Sequence, residues 1–325
     1  MLLASDFDSI RFDASVAAIG AYDGFHIGHR SILVPMIAGA RRRKLPTVLV
    51  TFSPLPAVFF GRLPVNSRLL LPEEGAEFAA ALGLDAMISV PFDRSLADQS
   101  ADAFLRRLAG AIGMKELRVG EGFSLGKNRE GRERVLAGVA GRYGFDLIVH
   151  PRLRLPDGEI SSTRIRAFLR DGDVSNAKRL LGYPFFIRNT ILHGVRLGTK
   201  IGIPTLNLRF PDEKIVLANG VYVTRTELDG VRYDSVTAIG VRPTFYDKSD
   251  LTIESYLLDA SVDGYGKAAR IDFHAFIRPE MKFSNSSALV RQVGSDIDFA
   301  RGYLATLPLD ADFSSTANDF PYQVR

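Results

Sequence analysis

The secondary-structure pattern of this chain changes near residues 181–184, and this change limits the folds open to it. Before it, short apolar runs alternate with segments of helical periodicity. After it, strand-like segments follow one another, separated by Gly, Pro and Asp-Gly turns. The first pattern is typical of a parallel sheet with crossover helices, and the second of an antiparallel barrel or sandwich. We therefore predict an α/β domain followed by a β domain that ends in one helix over Ser286–Leu304.

The length agrees with two domains, because 325 residues exceed what one hydrophobic core usually organises. We place the first domain at residues 1–182 and the second at residues 183–307. A C-terminal tail with weak periodicity is predicted at residues 308–325.

The composition excludes several classes of protein. Hydrophobic residues make up 46% and charged residues 24% of the chain, as in ordinary globular proteins. The net charge of +4 is small and scattered, whereas a nucleic-acid coat or a polybasic anchor needs a denser cluster. The absence of cysteine excludes disulfides and cysteine-based metal sites or nucleophiles. No apolar run approaches the roughly 18 residues that span a bilayer, and the charged start does not resemble a signal peptide.

The first motif lies after the predicted strand at residues 16–20 and opens a predicted helix; it reads GAYDGFHIGH from Gly20 to His29. Ligands of parallel sheets bind beyond the carboxyl ends of the strands, where this loop lies. Glycines let the backbone approach a phosphate, and a helix N-terminus contributes amide donors. His26 and His29 could together stabilise a phosphate at which a nucleotidyl group is transferred. The alternative is a glycine-rich turn with a capping histidine.

The second motif, ISSTRIR, runs from Ile160 to Arg166. Serine and threonine are favoured helix caps, and the two arginines could offer forks of donors to phosphates. A capped surface helix with solvated arginines is the alternative. Both motifs resemble those of the HIGH-type nucleotidyltransferases, a group that includes class I aminoacyl-tRNA synthetases, although the KMSKS signature of the synthetases is absent.

The third motif opens the second half of the chain. Gly194, Gly198 and Gly202 are separated by three residues each, which predicts a flexible flap that folds over a polyphosphate. The segment PTLN that follows predicts a turn in which Thr205 and Asn207 present hard oxygen ligands, suited to Mg²⁺ held against ATP phosphates. A Walker A loop is excluded, because its Gly-Lys-Ser/Thr sequence is missing.

Glu254 is the candidate general base of the second half. It lies in the strand-like segment TIESYLLD, which begins at Thr252. A carboxylate there could take a proton from an attacking hydroxyl group. The alternative is an exposed strand residue without a chemical role.

Together, these motifs resemble those of the bifunctional bacterial riboflavin kinase/FMN adenylyltransferases, also called FAD synthetases, over residues 16–303. Further segments carry this resemblance: GVYV from Gly220, IGVRPTF from Ile239, GYG from Gly264 and IRPEMKF from Ile277. The resemblance implies a Rossmann-like nucleotidyltransferase parallel sheet and a riboflavin-kinase-type antiparallel β-barrel with a closing helix. It also implies two reactions: ATP phosphorylates riboflavin to FMN, and a second ATP adenylylates FMN to FAD with release of pyrophosphate.

The resemblance also implies roles for individual residues. Glu254 would be the general base, Thr205 and Asn207 would hold Mg²⁺, and His26 and His29 would stabilise the ATP phosphates in the transition state. The residues implied to bind ATP are Gly20, Asp23, Gly24, Gly28, Ser161, Thr163, Arg164, Gly194, Gly198, Gly202 and Pro204. Those implied to bind the flavin are Phe52, Phe59, Phe123 and Arg278, with ordinary core packing as the alternative for the phenylalanines.

Five residues depart from the family pattern. Ala21 and Tyr22 replace Asn-Phe, Leu55 and Tyr256 replace histidines, and Gly122 replaces Asp or Asn. Most of these lie in the N-terminal half, where lost polar contacts would weaken adenylyl transfer by about a few kcal/mol if they act in the transition state. Two alternatives stay open: a riboflavin kinase with a degenerate or altered adenylyltransferase domain, and a regulatory protein that binds flavin or nucleotide without turnover.

The partners implied by this resemblance are small molecules. They are riboflavin, FMN, FAD and ATP, with Mg²⁺ as the cofactor. The net charge of +4 suits these anions without a nucleic-acid partner. We expect a cytoplasmic location and no membrane partner, and the sequence leaves a homo-oligomer open.

Overall fold

The computed structural model describes residues 1–193, 202–242 and 250–308. Gly194 and Gly198 of the predicted flap lie outside these ranges, as does the predicted tail after its first residue. Among the helices of the described ranges, none is long and apolar enough to cross a membrane.

The chain divides into two compact units, one over Met1–Ser162 and one that begins at Thr163. The predicted boundary at residue 182 lies further along the chain. The segment between the two positions contacts the second unit: the carbonyl oxygen of Leu169, for example, accepts a hydrogen bond from the N–H of Ala218 at 3.3 Å.

The first unit contains a six-stranded sheet in which all neighbouring strands are parallel. Its strands are β1 Leu2–Ala4, β2 Ser15–Ile19, β3 Thr47–Ser53, β4 Ala86–Pro91, β5 Met114–Gly120 and β6 Asp146–His150. Their order across the sheet is β1-β4-β3-β2-β5-β6, so the predicted parallel α/β domain is confirmed. Strand β1 was not predicted, because three residues at a sheet edge are too few to show a pattern.

Helices lie between the strands from β2 onward, as the alternating pattern of the sequence predicted. They are α1 Ile27–Arg42, α2 Pro56–Phe59, α3 Pro72–Leu82, α4 Arg94–Ala97, α5 Ala101–Ile112 and α6 Glu133–Tyr143, and a hairpin of β7 Arg154–Leu155 and β8 Gly158–Glu159 follows β6. All five residues of β2 are buried, as expected for a strand that is covered on both faces. Phe104 and Leu108 of α5 pack in one apolar cluster with Val48, Val50 and Leu117 of the sheet.

The second unit begins with two helices and continues as a closed barrel of six antiparallel strands. Its elements are α7 Ser162–Arg170, α8 Val174–Leu181, β9 Phe186–Leu192, β10 Thr205–Arg209, β11 Gly220–Leu228, β12 Val231–Arg242, β13 Asp250–Leu257, β14 Ala268–Arg278 and α9 Ser286–Leu304. The strand order is β10-β13-β12-β11-β14-β9, and β9 also pairs with β10. The second domain is therefore a barrel with a closing helix, as the resemblance implied.

The two faces of the barrel wall carry different residues. Val223 of β11 and Val236 of β12 pack against Ala300 and Leu304 of α9 on the outside. On the opposite face, five fully buried hydroxyl groups bond to one another at 2.7–3.0 Å: Thr224, Thr226, Ser235, Thr237 and Ser255. A hydroxyl group both donates and accepts, so this polar interior satisfies its own hydrogen bonds.

His274 is a buried titratable residue in strand β14 of the barrel unit. It is 4% exposed, and neither ring nitrogen has a hydrogen-bond partner among the described residues. Burial, with a smaller contribution from the cations Lys178, Arg225 and Arg232, lowers the pKa of His274 from 6.5 to about 3. The imidazole is therefore neutral in the folded protein at physiological pH.

This burial predicts a pH-dependent loss of stability. Because the folded-state pKa of His274 lies below the unfolded value of 6.5, the unfolded state binds the proton first as the pH falls. The stability from neutral His274 is complete above pH 6.5 and is lost as the pH falls toward 3, by up to about 1.4 kcal/mol per pH unit. Denaturant unfolding between pH 7 and 4 should show a shallower pH slope for His274→Leu than for the wild type.

The slope of the free energy of unfolding against pH separates the protonation of His274 from a change in packing. A change in packing shifts the free energy of unfolding of His274→Leu equally at every pH, whereas proton linkage changes its pH dependence. Parallel profiles of free energy against pH for the two proteins would contradict the prediction.

Candidate functional site

The loop between β2 and α1 lies at the carboxyl edge of the sheet, where the sequence predicts the first site. Its backbone is left-handed at Tyr22, Gly24 and Phe25, with φ angles of 44°, 89° and 37°. Such angles are unfavourable for residues with a side chain and persist only where the surroundings hold them. Here the Tyr22 and Phe25 rings are buried, and Phe25 stacks on Phe78 of α3 with ring centroids 5.4 Å apart.

The two histidines of the motif lie face to face at the start of α1. His26 is the N-cap residue, and its Nδ1 accepts a hydrogen bond from the backbone N–H of His29 at 3.2 Å. The two rings stack with centroids 3.6 Å apart. A Cβ atom on Gly28 would lie 3.2 Å from the His26 ring, so the absence of a side chain at Gly28 leaves room for this ring at the start of the helix. The capping histidine is therefore present, and the stabilisation of a phosphate by His26 and His29 together stays a prediction.

Asp23, a predicted ATP-binding residue, connects three segments around this loop. Its carboxylate is buried and accepts hydrogen bonds from the N–H groups of Leu69 and Leu70 at 2.9 and 3.2 Å. The hydroxyl of Ser162 donates to the backbone oxygen of Asp23 at 2.9 Å. The sequence prediction named Ser161 and missed Ser162, although both belong to the ISSTRIR motif.

The remaining predicted ATP residues of the first half lie on either side of the division between the units. Gly20 leaves room for the Tyr22 ring, which would be 3.0 Å from a Cβ atom at that position. Thr163 and Arg164 lie in α7 and belong to the second unit, where the Arg164 guanidinium lies 5.3 Å from the centre of the Phe168 ring.

A cavity of about 30 Å³ lies beside this loop, between the carboxyl ends of β2, β3 and β4. Phe52 contributes to its wall and also packs edge-on against Phe92 in the core, so core packing applies to Phe52 and its flavin binding stays a prediction. Arg68 lines the same cavity, is 7% exposed and donates from Nη2 to the Ser53 hydroxyl at 3.0 Å. The sequence does not predict a role for Arg68, because no motif surrounds it.

The other two phenylalanines predicted to bind flavin lie near the same sheet. Phe59 makes edge-on contacts with Phe60 and Phe92 at 5.2 and 5.3 Å between ring centroids. Phe123 follows β5 and is partly buried against the core. Core packing thus accounts for part of the surface of both, and flavin binding stays a prediction.

The residues predicted for the second site come together on β10 and β13. Asn207 is the cross-strand partner of Glu254, and Thr205 is that of Tyr256. Paired residues in an antiparallel ladder have Cβ atoms about 4.5–5.5 Å apart on the same face. Asn207 Nδ2 donates to the backbone oxygen of Thr205 at 3.1 Å and lies 3.4 Å from its hydroxyl.

The turn predicted over Thr205 to Asn207 is wrong, because these residues form strand β10. Leu206 and Leu208 are buried, whereas Thr205 and Asn207 are only partly buried, which is the alternation of a strand. Pro204 lies directly before the strand and limits its start.

The predicted flap reaches the described chain only at its last glycine. Gly202 has a left-handed φ of 81°, and nothing lies within 4 Å of the place a Cβ atom would take. The flap itself therefore stays a prediction.

Arg278, the fourth residue predicted to bind flavin, joins β14 to α9. Its guanidinium makes three bonds of 2.8–3.1 Å to the carboxylate of Asp296, which is 2% exposed. A further N–H of Arg278 donates to the backbone oxygen of Pro279 at 3.1 Å. The ion pair with Asp296 therefore gives Arg278 a structural role, and a contact between Arg278 and flavin stays a prediction.

Comparisons with known proteins match each half of the chain separately. The family model described as FAD synthetase matches residues 10–164, and the one described as riboflavin kinase matches residues 181–304. A bifunctional riboflavin kinase/FMN adenylyltransferase from Listeria monocytogenes is 33% identical, over 90% of this chain and 93% of the relative. The protein of the same name from Escherichia coli K12 is 32% identical over the same shares of both chains.

A solved structure resembles the chain over nearly its whole length. This crystal structure, described as a macrolide-efflux protein from Streptococcus pneumoniae, matches with a TM-score of 0.84 and 27% sequence identity. The match covers 92% of this chain and 98% of the other. Since two family models match in the expected order and the relatives align along nearly all of the sequence, this chain belongs to the family of bifunctional riboflavin kinase/FMN adenylyltransferases.

Proposed function

We propose that this chain phosphorylates riboflavin to FMN with ATP and then adenylylates FMN to FAD with a second ATP. The observation that carries this proposal is the presence of two separate chemical clusters. One is the stacked pair of His26 and His29 in the first unit, and the other is the cross-strand pair of Asn207 and Glu254 in the second. Each cluster lies within the family model for the corresponding reaction.

The kinase reaction needs a base and a site for the phosphates of ATP. Glu254 takes the proton of the ribityl 5′-hydroxyl group as its oxygen attacks the γ-phosphorus of ATP, and the bond to the bridging oxygen of ADP breaks. The candidate metal ligands beside Glu254 are the Thr205 hydroxyl and the Asn207 amide oxygen, which are hard oxygen ligands of the kind that Mg²⁺ prefers. When bound, Mg²⁺ neutralises charge on the transferred phosphoryl group.

These residues fit a metal that is shared with the substrate. Among the described residues, no group of three or more His, Asp and Glu side chains could hold a metal ion. Thr205 and Asn207 would therefore act together with phosphate oxygens of ATP, as is common at Mg²⁺ sites in phosphotransferases.

The adenylyltransferase reaction needs groups that stabilise negative charge on the phosphates, and it does not need a general base. A phosphate oxygen of FMN is already deprotonated when it attacks the α-phosphorus of ATP and displaces pyrophosphate. Because Nδ1 of His26 accepts the N–H of His29, the proton of neutral His26 lies on Nε2, which can donate to a phosphate oxygen. We assign to His26 and His29 the stabilisation of charge on the ATP phosphates, and we propose Ser161, Thr163 and Arg164 as further ATP-binding residues.

The location and partners of the protein follow from these two reactions. We propose small-molecule substrates as the partners, no nucleic-acid partner and a cytoplasmic location, where ATP is available. Charge complementarity supports the choice of anionic substrates, since the chain carries a net charge of +4.

The kinase assignment predicts that Glu254→Gln abolishes FMN formation. Loss of a general base lowers the rate about 10²- to 10⁴-fold, and FAD formation from supplied FMN should be unchanged. Chromatography after incubation with ATP and Mg²⁺, with riboflavin in one series and FMN in the other, measures both steps. Glu227→Gln, which alters a barrel carboxylate bonded to Arg232, is the matched control. FMN formation at the full rate in Glu254→Gln would show that the base is another group.

The adenylyltransferase assignment predicts that His29→Ala impairs FAD formation alone. The backbone N–H that His26 accepts is retained in this variant, so the start of α1 is preserved. We expect a fall of about 10²-fold in the rate of FAD formation from FMN, with an unchanged kinase rate. Equal losses of both activities would argue against separate sites.

The wild-type protein in the same assay distinguishes the proposal from its alternatives. Accumulation of FMN without FAD at high ATP would indicate a kinase with a degenerate adenylyltransferase domain. Flavin binding without consumption of ATP would indicate a regulatory protein.

A further inference from the structure

The loop after β5 and the segment after β6 meet at the carboxyl edge of the first sheet. Gly120 and His150, the last residues of these strands, are paired in the ladder. Strand β5 lies directly beside β2, whose loop carries the two stacked histidines. Residues that follow β5 and β6 therefore lie at the edge where ligands of parallel sheets bind.

Arg152 is held over the loop after β5 by hydrogen bonds on two sides. Its Nε donates to the backbone oxygen of Glu121 at 3.3 Å, and its Nη1 donates to Glu159 Oε2 at 2.8 Å. The backbone N–H of Arg152 donates to the Glu121 carboxylate at 3.3 Å. These contacts give the guanidinium one orientation before any ligand arrives.

That orientation depends on glycine at position 122. A Cβ atom on Gly122 would lie 2.7 Å from Nη2 of Arg152, which is closer than real side chains approach one another. Gly122 also has a left-handed φ of 76°, which glycine adopts without strain. The Arg152 guanidinium therefore takes the space that a side chain at position 122 would occupy.

Nη2 is the part of Arg152 that no residue in the described part of the chain engages. Among the described residues, no acceptor bonds to Nη2, and the side chain is 51% exposed. The nearby carboxylates are already engaged: that of Glu121 by a backbone N–H, and that of Glu159 by Arg152 and by Arg154 at 2.7 Å. Two anchored nitrogens and a third that no described residue engages are an arrangement that suits a charged oxygen acceptor.

We infer that Arg152 contacts substrate in the adenylyltransferase site, where Nη2 donates to a phosphoryl oxygen of ATP or FMN. This inference rests on the proposed function of the first unit. Phosphoryl oxygens are the charged acceptors that both nucleotides carry, and hydrogen bonds between ions are about twice as strong as neutral ones. Preorganisation by Glu121 and Glu159 reduces the entropy lost when the contact forms.

The test compares Arg152→Met with Arg154→Met. Methionine keeps an apolar stem and removes every donor, and both variants remove one positive charge from neighbouring positions that bond to Glu159. Steady-state FAD formation from FMN should show a KM raised about tenfold for one nucleotide in Arg152→Met. A higher KM for ATP assigns the contact to ATP, and a higher KM for FMN assigns it to FMN.

The controls decide between a direct contact and a general effect of charge. Arg154→Met should leave both KM values within about twofold of the wild type, and the kinase rate should be unchanged in both variants. Equal changes in the two variants, or normal KM values in Arg152→Met, would overturn the inference. A wild-type protein that forms no FAD would instead refute the proposed adenylyltransferase function.

A second variant tests the steric link to Gly122. In Gly122→Ala, the added Cβ atom displaces the guanidinium and should raise the KM for the same nucleotide. In the Arg152→Met background, the same change should add less than it does in the wild type, because the displaced group is already absent. Additive effects of the two substitutions would show that the two positions act independently.

Discussion

Backbone N–H and C=O groups of buried strands need hydrogen-bond partners, and the two units of this protein meet that need differently. In the first, parallel pairing requires long crossover connections, so helices lie between successive strands and the loops at the carboxyl edge carry residues that we propose for adenylyl transfer. In the second, antiparallel strands close into a barrel and leave no unpaired edge. Asn207 and Glu254, which we propose for the kinase reaction, are cross-strand partners on β10 and β13 of this wall.

The geometry of the first site depends on packing beneath it. The left-handed backbone at Tyr22 and Phe25 is held by the burial of both rings, and the Asp23 carboxylate connects the loop to the N–H groups of Leu69 and Leu70. The His26 ring is directed by the hydrogen bond to His29. A substrate that binds here therefore meets side chains that are already ordered, which lowers the entropic cost of catalysis.

Several departures from the family pattern have a physical explanation in the structure. Leu55 is buried, as an apolar residue can be, and Tyr22 packs its ring 4.9 Å from that of His29. Tyr256 packs against the apolar cluster beneath α9. Gly122 lacks a polar side chain, but the guanidinium of Arg152 lies in the space that such a side chain would need. The polar side chain that is absent at position 122 is thus accompanied by an arginine guanidinium in the same space.

The order and kind of most elements and the position of the motifs follow from the sequence alone, because burial periodicity and turn residues are local properties of the chain. Only the tertiary structure showed that Thr205 and Asn207 lie in a strand, since the pairing of β10 with β13 involves residues about fifty positions away. It likewise decided that Arg278 bonds to Asp296 and that Arg152 lies over Gly122. These contacts join residues that are distant along the chain, and no local pattern of side chains records which distant partner the fold will bring to them.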